Sequence, residues 1–135
     1  MIQYSRIKNT ERDPMKAINI NDKEIEYTRL MFRTHNAKDI ETRATPSLMS
    51  VVGQRVGIIR TGKGPAMLVG YVDVVGVKVY ENREAFQADY ARHFVPKGSK
   101  YDIKSGGKKY GFILANAMPC DPTPVTSKGI VIRNI

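Results

Sequence analysis

Asn36-Ala37-Lys38-Asp39-Ile40-Glu41-Thr42-Arg43 is the stretch on which the reading of this chain turns. Its residues alternate, placing Asp39, Glu41 and Arg43 on one face and Ile40 and Thr42 on the other, which predicts a strand. A helix-like segment lies directly before it. Asn36 suits the junction, because asparagine tolerates the left-handed backbone that ends many helices. A helix that stops at once on a charged strand is unusual punctuation, and it singles out Lys38, Glu41 and Arg43.

Upstream, Asn21 or Asp22 is a candidate helix cap, since a short side-chain acceptor satisfies orphan N–H groups, and Glu24 suits the positive end of the helix dipole. Ile25, Tyr27, Leu30, Met31 and Phe32 form a broad apolar face that predicts a helix to about His35. Met15 to Ile20 alternates weakly and predicts a short strand. The first fourteen residues lack periodicity and end at Asp13-Pro14. They read as a tail or edge segment, leaving 15–135 as a single domain.

Downstream of Pro46, three segments are rich in Val, Ile and Tyr: 55–60, 66–75 and 77–80. Gly53, Gly62, Gly64, Gly70 and Gly76 mark turns, bulges or close approaches among them, so antiparallel strands are expected. A second helical stretch opens at Glu81-Asn82 and closes at Val95-Pro96. A lysine-rich loop follows over 97–109, then a strand over 110–117. Pro119, Pro122 and Pro124 predict an irregular segment, and 129–132 a terminal strand. Short strands with turn signals, helices and no regular βαβ alternation predict an α+β fold. The architecture expected is a small, mostly antiparallel β-barrel with two or three flanking helices.

The 135 residues fit one domain. Lys and Arg number 22 against 13 Asp and Glu, a net charge of +9, which favours polyanionic partners and nucleic acid first. The most apolar window, Ala66 to Val79, is broken by Asp73 and shorter than the ~20 residues of a membrane span, so no membrane partner is expected. Residues 1 to 14 carry no apolar signal segment, and a cytoplasmic location is expected. Cys120 is the single cysteine, which excludes an intrachain disulfide and a cysteine-rich zinc site. His35 and His93 stand far apart in sequence, without metal-site spacing, so neither a metal nor another cofactor is expected. His35 reads as a helix-end residue, and His93 as a packed residue or a general acid–base group. Cys120 lacks a neighbouring histidine and reads as an inert thiol.

Residues 36–43 resemble the Gly-x-Lys-x-x-Glu-x-Arg signature of the ASCH domains, members of the PUA-like barrel superfamily, with Asn36 in place of the glycine. Val52-Gly53-Gln54-Arg55-Val56 resembles the family's Gly-Asp-Arg-Val strand, and Leu68-Val69-Gly70-Tyr71-Val72 its Val-Gly-x-Val strand. The resemblance spans roughly residues 15 to 117 and implies a PUA-like barrel. It also implies two activities. Some members are amidohydrolases of acetylated cytidine that pair the same lysine with a threonine three positions on, where this chain has Glu41, and that use a later glutamate, to which Glu84 or Glu81 corresponds. Others are ribonucleases.

Arginine offers a planar fork for phosphate or carboxylate, lysine a compact charge or a desolvated amine, and glutamate an acceptor or base. Lys38, Glu41 and Glu84 are therefore the candidate catalytic residues. Asn36, Arg43 and Tyr71 are candidate ligand contacts. Within 97–110, five lysines and two tyrosines are interleaved, a pattern that neutralises phosphates and stacks bases. Lys100, Tyr101, Lys104, Lys108 and Lys109 are the binding candidates there, joined by Lys97 and, from the 60–64 turn, Lys63. The expected function is binding of RNA, or of a nucleotide or nucleoside, in a Lys/Glu/Arg cleft. The alternative is a hydrolase acting on RNA or a modified nucleoside.

Overall fold

The computed structural model describes residues 15–33, 36–126, 129 and 131–135. The expected N-terminal tail and the helix-end role of His35 lie outside the described residues. The chain runs β1 (Lys16–Asn21), α1 (Tyr27–Arg33), β2 (Ile40–Arg43), a 3₁₀ turn (Met49–Val51), β3 (Gln54–Thr61), β4 (Met67–Tyr80), α2 (Arg83–Ala88), α3 (Tyr90–His93), β5 (Lys109–Pro124) and β6 (Ile132–Asn134).

The strands form one six-stranded sheet in the order β2-β5-β4-β3-β1-β6. Among the described residues only β1 and β3 pair in parallel, and the other four pairings are antiparallel. The long β4 and β5 run side by side with register shifts at Leu68/Gly70, Tyr71/Asp73 and Val74/Gly76. Such bulges bend a ladder and raise its twist, curling the sheet into a half-barrel whose edges are β2 and β6. Inside the curl lies the main core, built from Ile18 and Ile20 of β1, Val56 and Ile58 of β3, Val72 and Val74 of β4, Phe112 and Leu114 of β5, and Met31 of α1. Gly70 is required there: a Cβ at this position would stand 2.5 Å from the Phe32 ring. A smaller core of Tyr80, Phe86, Val95 and Ile103 lies beneath the lysine-rich loop, with Tyr101 packed on it.

The expected α+β barrel architecture is present, as an open rather than a closed barrel. Its details differ from expectation at four places. Helix α1 begins at Tyr27, not at Asp22, because the chain first loops back through Ile25 in the left-handed region (φ 54°). Asp22 still caps it from a distance. The buried carboxylate accepts from the backbone N–H groups of Glu26, Tyr27 and Thr28 and from the Thr28 hydroxyl, at 2.7–3.1 Å. Segments 66–75 and 77–80 are one strand, with Gly76 absorbed in a bulge. The second helical stretch is split at Asp89 into α2 and α3.

The proline-rich segment is a strand after all. β2 covers only residues 110–113 of β5, so farther along β5 bonds to β4 alone, and proline's missing N–H is tolerated on that open side.

Candidate functional site

Asn36 takes the left-handed conformation (φ 70°) expected of it, and its N–H returns to the carbonyl of Met31 at 3.0 Å. Its side-chain oxygen accepts from the Ala117 N–H at 2.9 Å, so the residue ties the helix exit to β5. Two residues on, Lys38 is 1% exposed. Its Nζ donates to the carbonyls of Ile40 (2.5 Å) and His93 (2.9 Å), lies 3.3 Å from Glu41 Oε1, and sits 5.2 Å above the Tyr27 ring. The other Glu41 oxygen accepts from Arg43 Nη1. Arg43 donates in turn to the carbonyl oxygens of Thr42 (3.0 Å) and Asn19 (2.6 Å). The last bond crosses from β2 to β1 over the open side of the half-barrel.

Lys38, Glu41 and Arg43 of the opening stretch therefore converge, while Asp39 turns away to pair with Arg92 at 2.9 Å. Burial pushes the Lys38 ammonium below the usual lysine range, only partly offset by Glu41. Burial would raise the Glu41 carboxyl, but Arg43 and Lys38 outweigh it and hold Glu41 below the usual carboxylate range. The carboxylate stays ionised between its two cations.

His93 supports this arrangement from behind. Its ring is fully buried and stacks on Phe86 at 4.2 Å between centroids. Nδ1 accepts from the Val95 N–H at 2.9 Å, which leaves the proton on Nε2, 2.6 Å from the Phe86 carbonyl oxygen. Burial pulls its pKa below 6.5. Both nitrogens are engaged within the fold, so the acid–base reading of His93 gives way to a packing one.

Lys38, Glu41, Thr42 and Arg43 line one side of a cleft of about 780 Å³. Asn19 to Asn21, Tyr27 and Thr61 continue the wall, and the lysine-rich loop faces them with Lys100, Tyr101, Asp102, Lys104, Lys108 and Lys109. The loop is well tied. Asp102 accepts from the N–H groups of Gly98 (2.7 Å) and Ile103 (2.8 Å), and Gly107 N–H bonds the Lys104 carbonyl. Six cationic side chains and two carboxylates thus line one concavity.

Six predicted residues lie elsewhere. Glu84 is exposed in the first turn of α2, away from the cleft lining, and Glu81 forms an exposed ion pair with Lys108 at 3.6 Å. Lys63 is exposed in the β3–β4 turn and Lys97 at the loop's start, neither in the lining. Tyr71 sits on β4 between Gly57 and Met118, also outside it. Asn36 is likewise not in the lining.

Asn19, Asn21 and Thr61 went unnoticed in the sequence because only the parallel β1–β3 pairing brings them there. Tyr27 was counted in an apolar helix face, and only its aromatic ring beside a charged strand hinted otherwise. Among the described residues no group of three or more His, Cys, Asp or Glu could hold a metal ion, and no helix is long and apolar enough to cross a membrane.

The domain is an open, mostly antiparallel α+β half-barrel with a basic cleft between its first strand and its edge strand. Its fold is that of the ASCH domain. ASCH from Zymomonas mobilis superposes with a TM-score of 0.65 at 15% identity, over 83% of this chain and 74% of that one. A serine-to-alanine variant of the Zymomonas mobilis protein superposes with a TM-score of 0.68 at 13% identity, over 91% of both chains. The sequence matches no protein-family model and no curated protein.

Proposed function

We propose that the cleft binds RNA or a nucleotide. The observation that carries this reading is the imbalance of charge in the lining. Glu41 offsets charge on Lys38 and Arg43, but Lys100, Lys104, Lys108 and Lys109 share the cleft with Asp102 alone. Such a surface attracts phosphates and releases their counterions. Tyr27 and Tyr101 line the same cleft, and aromatic faces stack unpaired bases.

Binding is favoured over cleavage by the state of the signature residues. Glu41 has both oxygens engaged and a lowered pKa, a poor starting point for a general acid. Lys38 directs its ammonium at three acceptors. The threonine of the amidohydrolase pattern is absent, its place taken by Glu41.

The test is fluorescence anisotropy with a short single-stranded oligoribonucleotide. Four phosphate contacts predict a roughly 50-fold loss of affinity between ~50 and ~200 mM salt. Affinity independent of salt, or absent at low salt, overturns the reading; cleavage of the probe that disappears in Lys38→Met would favour the hydrolase instead.

A further inference from the structure

Lys109 opens β5, paired through its backbone with Tyr80. It lines the cleft yet is only 8% exposed. Among the described residues no hydrogen bond or ion pair reaches its ammonium group. Asp102, Arg43, Glu41 and Lys104 are the charged groups around it. Neither carboxylate is spare: Glu41 serves Lys38 and Arg43, and Asp102 accepts from the loop backbone. Burial draws the Lys109 pKa below the usual lysine range.

A lysine enclosed along its length, with its ammonium at a cleft wall, is costly to keep charged unless an opposite charge pairs with it. Among the described residues no carboxylate pairs directly with it, Asp102 and Glu41 acting only at longer range, and the amine borders a cavity open to ligand. We infer that Lys109 anchors a terminal phosphate monoester, carried by a mononucleotide or by the end of an RNA strand. The inference rests on the nucleotide reading of the cleft and narrows it. A phosphate inside a strand has chain on both sides and a single charge, so reaching a side chain this enclosed would require threading the backbone through the recess. A terminal phosphate has one arm and close to two charges at neutral pH. Lys109 meets that dianion at the inner wall, and the exposed Lys104 adds a second cation at the rim.

The test compares one short single-stranded oligoribonucleotide in three forms: 5′-phosphorylated, 3′-phosphorylated and hydroxyl-ended. One phosphorylated form should bind about tenfold or more tighter than the hydroxyl-ended strand. Lys109→Met should bring that ratio close to one, while Lys109→Arg keeps most of it. Without ligand, Lys109→Met should melt at or above the wild-type temperature, because it removes a largely enclosed charge that no described carboxylate pairs with; a lysine kept only for structure would give a lower melting temperature. If Lys109→Met does not fold, Lys109→Gln takes its place, and the comparison of strands on the wild type stands alone.

Equal, salt-sensitive binding of all three strands by the wild type overturns the anchor and leaves RNA binding intact. No binding by any strand at low salt overturns both. Inorganic phosphate competing as well as a nucleoside monophosphate overturns the nucleotide as the source of the anion.

Discussion

The Nζ of Lys38 donates to the carbonyl oxygen of His93 at 2.9 Å, joining residues 55 positions apart. That carbonyl ends α3, where Phe94 turns left-handed (φ 58°) and the His93 ring is locked between Phe86 and the Val95 N–H. The lysine of the cleft is therefore held in part by the smaller core, and what loosens α3 should loosen the cleft.

Glu41→Gln leaves Lys38 and Arg43 with their charges and no carboxylate between them. Removing one member of a buried ionic cluster typically costs about 3–5 kcal/mol, so urea denaturation should show a loss near the lower end, given the partial exposure of Arg43. The double change Lys38→Met with Glu41→Gln should recover part of it. Equal stability of Glu41→Gln and wild type would show that the cluster is not sustained in solution.

Acid should destabilise the fold first through His93. Its folded pKa is lowered from 6.5, so the unfolded chain takes up the proton more readily. The stability that neutral His93 contributes is complete above pH about 6.5 and is lost as pH falls through the lowered folded value. The depressed carboxylates Glu41, Asp89 and Asp102 act in a lower window, beneath their ordinary values of 3.8 to 4.5. Denaturation midpoints measured from pH 7.5 down to 5 should fall in the wild type and fall less in His93→Gln; parallel curves would exclude His93 as the source.

Asp22→Ala removes four accepted hydrogen bonds at the start of α1. A lost cap together with stranded N–H groups predicts about 2–4 kcal/mol of destabilisation by chemical denaturation. Asp22→Asn keeps one oxygen acceptor and should cost less.

Lys100, Lys104 and Lys108 are exposed, so changing all three to Ala should leave thermal stability nearly unchanged. On a single-stranded RNA the slope of log affinity against log salt should shrink by about 2, at roughly 0.7 per contact. An unaltered slope would mean that the phosphates lie elsewhere.

The local chemistry of residues 36–43 could be read from the sequence: the left-handed Asn36, the charged strand, and the convergence of Lys38, Glu41 and Arg43 all appear in the fold. What escaped was tertiary. Pro119, Pro122 and Pro124 read as an irregular segment, because a sequence does not reveal that β2 stops short and leaves that flank of β5 open. Glu84 shares a residue type with a catalytic role, but Asn82 caps its helix and turns Glu84 outward. Asn19 and Thr61 are unremarkable polar residues until β1 and β3 lie side by side. Lys109 was one lysine among five, and only its burial separates it from the others.

The bond from Arg43 to the Asn19 carbonyl spans the open flank of the half-barrel beside the cleft. One guanidinium thereby serves both the architecture and the recess, so changes there would trade ligand preference against the integrity of the shell. The outer lysines carry no such double duty. Descendants of this chain could adopt new ligands by rewriting the 97–109 loop while the latch beneath it stays fixed.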